Sequence, residues 1–208
     1  AGLGAAFWLS ENSDKSILLL DKSKISSGGL RNDCKQNYTY PVGFPEELWT
    51  QKEADELLKI VASHLNPEYE KLDKIKIYTK RAEKLGIKLL SIKQAHVGTD
   101  RAIDLIKNLT SELEDKNVEI SMGTEVSKVD NKNKEIILKE TEERYKFDDL
   151  IIAPGRSGFK WLQEIMSDLN INYIDNLVDV GVRIETREEH YSIVKDYYDP
   201  KFYFPHGV

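Results

Sequence analysis

The sequence predicts a mixed α/β fold, and three patterns favour it. Short continuous apolar runs at 16–21 and 149–155 are typical of strands buried inside a parallel sheet. A capping box, Thr50-x-x-Glu53, precedes apolar side chains that recur at helical spacing. Residues 124–147 alternate around a polar turn, which predicts an antiparallel meander of three strands. Helical and strand patterns therefore follow one another along the chain.

The elements can be placed in chain order from these patterns. The first half begins with a helix near Gly2, a strand at 16–21 and a long loop at 22–45, followed by helices at 50–65 and 75–85, the second closed by Gly86. A strand at 87–91 and a helix capped by Thr99 or Asp100 come next. The second half has strands at 118–121, 124–129, 135–139, 144–147 and 149–155, then a helix at 158–169 and a strand at 179–185.

Composition excludes several classes of protein. The 208 residues carry 30 Lys+Arg against 36 Asp+Glu, a formal net charge of −6, which disfavours nucleic acid as the main partner. No apolar run approaches the roughly 20 residues of a membrane-spanning helix, so we expect no membrane association. The single cysteine, Cys34, excludes an internal disulfide framework and, with no signal peptide in view, predicts a cytoplasmic protein. Both ends of the chain are apolar, so we expect a fragment of a longer protein.

Gly2 and Asp21 are spaced as in half of a dinucleotide-binding motif. Glycines at the first turn of such a motif let a helix N-terminus approach a pyrophosphate, and a carboxylate about 20 residues later accepts hydrogen bonds from a ribose. Two glycine-containing segments, Ser27-Gly-Gly and Ala153-Pro-Gly, add backbone that can approach a ligand closely. The alternative is a close-packed glycine, a surface carboxylate and ordinary turns.

Three longer motifs carry a family resemblance. They are Ser27-Gly-Gly-Leu, His96-Val-Gly-Thr-Asp-Arg and Gly181-Val-Arg-Ile-Glu. With the order of elements above, the chain resembles the bacterial FAD-dependent dehydrogenases, which are flavoproteins of the type with two dinucleotide-binding domains. The resemblance implies a Rossmann-like FAD-binding domain of the glutathione-reductase type, with inserted helices, a three-stranded meander and the start of a second β-rich domain.

The resemblance also implies the FAD contacts. Gly2 would lie against the pyrophosphate, Asp21 would hold the adenosine ribose and Lys22 would flank the adenine. Other positions would line the cofactor: Ser27, Gly28 and Gly29 between pyrophosphate and flavin, Val126 at the adenine through its backbone, and Ala153, Pro154 and Gly155 on the opposite side. The implied segments are the FAD-binding domain at 1–48 and 96–160, a helical insert at 49–95 and a substrate domain that starts at 161–208.

Other chemistry-bearing residues give weaker predictions. His96, Asp100 and Arg101 stand at a strand–helix junction, where they could contact flavin or substrate or simply cap the helix. Cys34 has no paired cysteine, so we expect an inert thiol. His190 and His206 lack metal-ligand spacing, so no metal site is predicted, and no constellation singles out a catalytic acid or base.

The function predicted from the sequence is that of an FAD-dependent oxidoreductase. It would transfer hydride to or from a small-molecule substrate through the bound flavin, with NAD(P)H as the candidate electron donor. Two alternatives remain open: an NAD(P)-binding oxidoreductase without flavin, since Gly2 and Asp21 suit any adenine dinucleotide, and a flavin-dependent RNA-modifying protein.

Overall fold

A computed structural model describes residues 1–25, 29–30, 35–42, 44, 46–175, 185–197 and 199–205. It is mixed α/β, as predicted, and its sheets have only two or three described strands. The helices are α1 (Gly2–Asn12), α2 (Gln51–Leu65), α3 (Ile75–Glu83), α4 (Thr99–Asp115), α5 (Phe159–Asp168) and the single turn α6 (Ile193–Asp196). The strands are β1 (Leu18–Asp21), β2 (Lys35–Asn37), β3 (Lys88–Leu90), β4 (Gln94–His96), β5 (Glu119–Met122), β6 (Val126–Asp130), β7 (Glu135–Leu138), β8 (Arg144–Lys146) and β9 (Lys201–Tyr203).

The chain divides into two compact units. The first unit comprises Ala1–Cys34 and Gly98–Asn176, and the second comprises Lys35–Val97 and Leu177–Val208. The segment boundaries predicted at 48/49, 95/96 and 160/161 concern functional segments, and they stay predictions.

The first unit contains the parallel pairing. β1 and β5 run side by side in parallel, and each follows a helix, α1 and α4 respectively. The meander β6–β7–β8 is antiparallel, as its alternation predicted. Its buried residues Val129 and Ile136 share a core with Ile165 of α5, against which Leu20 of β1 and Ile152 also pack. One hydrophobic core thus joins the strand pair, the meander and the segment before α5.

The second unit is built on two antiparallel pairs, β2 with β4 and β3 with β9. Its core joins α3, β3 and α6 through five buried residues: Ile75, Ala82, Leu89, Ile193 and Tyr197.

Local end signals explain where several helices start and stop. Both hydrogen bonds of the Thr50–Glu53 capping box are present at the start of α2. After α3, Gly86 has φ +71°, its N–H donates to the Glu83 carbonyl, and the Ile87 N–H donates to the Ala82 carbonyl. This pair of bonds is the Schellman motif, which confirms Gly86 as the closing residue.

Four predictions about elements were wrong. The predicted loop at 22–45 contains the strand β2. Residues 149–155 form no strand, and Ile151 is 59% exposed, because no described strand pairs with this segment. The N-cap of α4 is Gly98 rather than Thr99 or Asp100. All four residues of β1 are half-buried rather than buried on both faces, since β5 is its only described partner. Of the predicted strand at 179–185, residues 179–184 lie outside the described residues.

Candidate functional site

Asp21 lies at the carboxyl end of the parallel pair β1–β5. It stands opposite Met122, and its carbonyl accepts a hydrogen bond of 3.0 Å from the Thr124 N–H. Gly123, between them, has φ +73° and donates its N–H to the Ser23 carbonyl. The carboxyl ends of neighbouring parallel strands are where open α/β sheets bind ligands. The structure therefore places Asp21 at the edge expected of a ligand site.

The Asp21 carboxylate is half-buried and only partly used. Its Oδ1 accepts a hydrogen bond of 2.8 Å from the Ser23 N–H, which closes a turn directly after β1. Within the described part of the chain, no donor contacts the second oxygen, Oδ2. The carboxylate therefore ends the strand, as the alternative interpretation of this residue requires, and retains an acceptor for a ligand hydroxyl.

Gly2 begins α1 beside the same strand. A Cβ added at Gly2 would lie 3.6 Å from Cδ1 of Leu19, which is an ordinary van der Waals distance. Packing against β1 alone does not therefore require glycine at this position. No side chain caps the start of α1, and its first N–H groups have no partner within the helix.

Lys22 connects the end of β1 to the Ala153–Gly155 segment. Its Nζ donates to the carbonyl of Ser157 over 3.4 Å, within the 3₁₀ turn Arg156–Gly158 that follows the segment. Two candidate regions that are far apart in sequence, Asp21–Lys22 and Ala153–Gly155, are therefore linked through the contact between Lys22 and Ser157.

The Ala153–Gly155 turn depends on two glycines. Gly155 has φ +66° and ψ −169°, a combination that is essentially restricted to glycine. A Cβ at Gly158 would lie 2.4 Å from Cβ of Pro154, which is closer than real contacts allow. Pro154 is half-buried, and Ala153 and Gly155 are exposed. The turn thus presents bare backbone in a fixed conformation.

Val126 opens the meander at an irregularity. It pairs with Leu138, and the register shifts between Val126 and Lys128, which is the mark of a β-bulge. The bulged Ser127 donates its hydroxyl to the Ile137 carbonyl, and its own carbonyl accepts from the Trp161 indole at 3.4 Å. Bulges are over-represented next to active sites, which is compatible with the predicted position of Val126 beside a cofactor.

The remaining predicted residues are distributed between the two units or lie outside the described residues. Gly29 is exposed, with nothing within 4 Å of a Cβ, and Ser27, Gly28, Cys34 and His206 lie outside the described residues. His96 belongs to the second unit and pairs with Lys35, whereas Arg101 belongs to the first unit. The His96–Arg101 motif therefore crosses the boundary between the two units.

Sequence reasoning missed two hydrogen-bonded polar pairs in the second unit, one of them buried. The Tyr38 hydroxyl donates to Oε1 of Gln36, and Nε2 of Gln94 donates to Oε2 of Glu70 at 2.8 Å. Burial, and then the Tyr69 phenol, raises the pKa of Tyr38 to about 12. Nε2 of Gln36 is buried without a hydrogen-bond partner in the described part of the chain. The signal was the spacing of Gln36 and Tyr38 two residues apart, as on one face of a strand, inside a segment we predicted to be loop.

No model of a known protein family matches the chain, and no curated protein matches it. Among the described helices, none has both the length and the apolar composition needed to cross a membrane.

Proposed function

We propose that the first unit binds FAD and that the protein is an FAD-dependent oxidoreductase acting on a small-molecule substrate. The observation that supports this most strongly is the position of Asp21 and Lys22. Asp21 ends a parallel strand beside β5, and the next residue reaches across to the turn that follows Ala153–Gly155. The unit would then be a Rossmann-like FAD-binding domain of the glutathione-reductase type.

Each part of the dinucleotide has a candidate contact in this arrangement. Oδ2 of Asp21, which no donor contacts in the described part of the chain, would accept a hydrogen bond from a hydroxyl of the adenosine ribose. The uncapped N–H groups at the start of α1 would face the pyrophosphate, whose negative charge suits a helix N-terminus. The glycine-only backbone at Gly155 would let the chain approach the cofactor closely.

The chemistry would be shared between the cofactor and the chain. A bound flavin supplies the acceptance and return of hydride. The residues of this chain would bind the adenosine end, orient the cofactor and limit its contact with water. No described residue is assigned the role of acid or base.

The proposal is tested by titrating the full chain with FAD, FMN, NAD⁺ and NADP⁺ and following flavin fluorescence or, for the nicotinamide dinucleotides, heat of binding. We expect FAD to bind most tightly. Asp21→Ala should weaken FAD binding about tenfold or more, because a hydrogen bond to a charged group is lost. FMN has no adenosine ribose, so the same substitution should leave FMN binding unchanged.

Asp168→Ala is the matched control, because Asp168 is an exposed carboxylate at the end of α5 in the same unit. It should bind FAD as the unsubstituted chain does. Absence of FAD binding, or equal FAD affinity in the Asp21→Ala and Asp168→Ala variants, would contradict the proposal. Tighter binding of NAD⁺ or NADP⁺ than of FAD would favour the alternative of a nicotinamide-binding protein.

A further inference from the structure

Three aromatic side chains gather in the loop between β2 and α2, and we call Tyr40, Phe44 and Trp49 the aromatic cluster. The ring centroids of Tyr40 and Phe44 are 6.1 Å apart with planes at 51°, and those of Phe44 and Trp49 are 6.2 Å apart at 84°. The Tyr40 hydroxyl donates to the Trp49 carbonyl at 2.7 Å, which ties the ends of the cluster together. Each neighbouring pair of rings is therefore packed at an angle, tilted or edge to face, rather than stacked flat.

The cluster is accessible to solvent. Trp49 is 36% exposed, Tyr40 and Phe44 are half-buried, and the neighbouring Leu48 is 75% exposed. Aromatic rings that serve only as core are normally covered, because each contributes a large apolar area. Here part of the ring surface stays open to a ligand.

Carboxylates lie near the Tyr40 end of the aromatic cluster. Glu46 and Glu47 are exposed and have no ion-pair partner in the described part of the chain. Together with Glu53 they are close enough to raise the pKa of the Tyr40 phenol, after burial, which is the larger cause. Glu53 is occupied in the capping box of α2, so Glu46 and Glu47 are the carboxylates left to neutralise a bound charge.

This combination selects organic cations. Ring faces attract cations through their quadrupole, and walls of several aromatic side chains are suited to quaternary ammonium groups, whose methyls contact the rings. Elsewhere in the second unit, Lys93 Nζ already lies 4.1 Å from the Tyr69 centroid. In the described residues, no cation lies over the rings of the aromatic cluster.

We propose that the aromatic cluster, with Glu46 and Glu47 at its rim, binds the quaternary ammonium group of a small-molecule ligand. The site lies wholly in the second unit and does not depend on flavin binding by the first unit.

The test uses choline and its neutral isostere 3,3-dimethyl-1-butanol on the full chain at constant ionic strength. The chain has three tryptophans, and its indole N–H signals can be followed by NMR, with the Trp49 signal assigned from Trp49→Phe. We expect choline to shift the Trp49 signal and leave that of Trp8, an exposed tryptophan in α1, unchanged. The neutral isostere should bind about tenfold more weakly, because it lacks the charge that the rings and carboxylates attract.

Two variants separate the contributions of charge and rings. Glu46→Gln combined with Glu47→Gln should weaken choline binding several-fold, on the order of a surface charge interaction, without changing the affinity for the isostere. Phe44→Leu should weaken choline binding about tenfold by removing the central ring wall. The choline–isostere comparison on the unsubstituted chain remains decisive if a variant fails to fold. Equal affinity for both ligands, parallel shifts of Trp8 and Trp49, or no shift of Trp49 would each overturn the proposal.

Discussion

The hydroxyl of Tyr197 forms two hydrogen bonds with the backbone of Ile92. It accepts from the Ile92 N–H at 3.1 Å and donates to the Ile92 carbonyl at 3.0 Å, across 105 residues of sequence. Both residues are almost fully buried, at 2% and 1% exposure. Ile92 lies between β3 and β4, and no described strand forms hydrogen bonds with its backbone. The phenol of Tyr197 supplies a partner for both its N–H and its carbonyl.

Removing this hydroxyl should destabilise the second unit. Tyr197→Phe leaves a buried N–H and a buried carbonyl unpaired, which is expected to lower the free energy of unfolding by about 1–3 kcal/mol. Urea denaturation followed by circular dichroism measures the change. Tyr191→Phe is the matched control because Tyr191 is 43% exposed, and it should change stability by less than about 0.5 kcal/mol. Equal effects of the two substitutions would show that the Ile92 bonds contribute nothing.

Tyr38 should make the protein sensitive to alkali. Because burial raises the pKa of Tyr38 to about 12, this phenol stays neutral in the folded chain while it ionises near pH 10 in the unfolded chain. The contribution of Tyr38 to the free energy of unfolding is therefore fully present below pH 10 and is lost as the pH rises towards 12. Burial also raises the pKa of Tyr197, which acts in the same direction.

The measurement is the free energy of unfolding as a function of pH between 9 and 12. Tyr38→Phe should make the decline shallower than in the unsubstituted chain, because phenylalanine cannot ionise. Tyr203→Phe is the comparison, since Tyr203 is 57% exposed, and it should leave the slope unchanged. A Tyr38→Phe profile with the original slope would contradict the prediction.

Gly158 and Gly4 should respond oppositely to a methyl group. Gly158→Ala places Cβ 2.4 Å from Cβ of Pro154, so the turn must shift, at an expected cost of about 1–3 kcal/mol. Gly4 lies inside α1 with nothing within 4 Å of a Cβ, so Gly4→Ala should gain about 0.5–1 kcal/mol from helix propensity. Thermal unfolding of both variants checks the signs.

Gly158 also connects stability to the proposed function. If FAD lies against the Ala153–Gly155 turn, Gly158→Ala should also weaken FAD binding by displacing Pro154. A Gly158→Ala chain with unchanged stability would show that the turn accommodates the methyl group. A chain that is destabilised but binds FAD normally would place the cofactor away from this turn.

Structural features that depend on a few neighbouring residues were predicted well. The capping box at Thr50 and the closing residue Gly86 were both confirmed, because each depends on hydrogen bonds within one helical turn. The meander was confirmed for the same reason, since adjacent antiparallel strands joined by short turns find their partners locally.

Structural features that depend on segments far apart in the chain were predicted less well. The apolar run at 149–155 has the composition of a strand, yet a strand exists only where a neighbour completes its hydrogen bonds, and none of the described strands does so. The start of α4 was misplaced because Gly98, with φ +81° and ψ 153°, makes the turn that a Thr or Asp side chain was expected to cap.

By itself, the sequence determined the alternation of helices and strands, the ends of α2 and α3, and the presence of Gly2 and Asp21 at a spacing suited to a dinucleotide. Only the tertiary structure decided that Lys22 reaches Ser157, that Tyr197 pairs Ile92 and that Gln36 and Tyr38 form a buried pair. The physical reason is range: propensity, capping and turn chemistry act over a few residues, whereas these contacts depend on how segments far apart in the chain pack together.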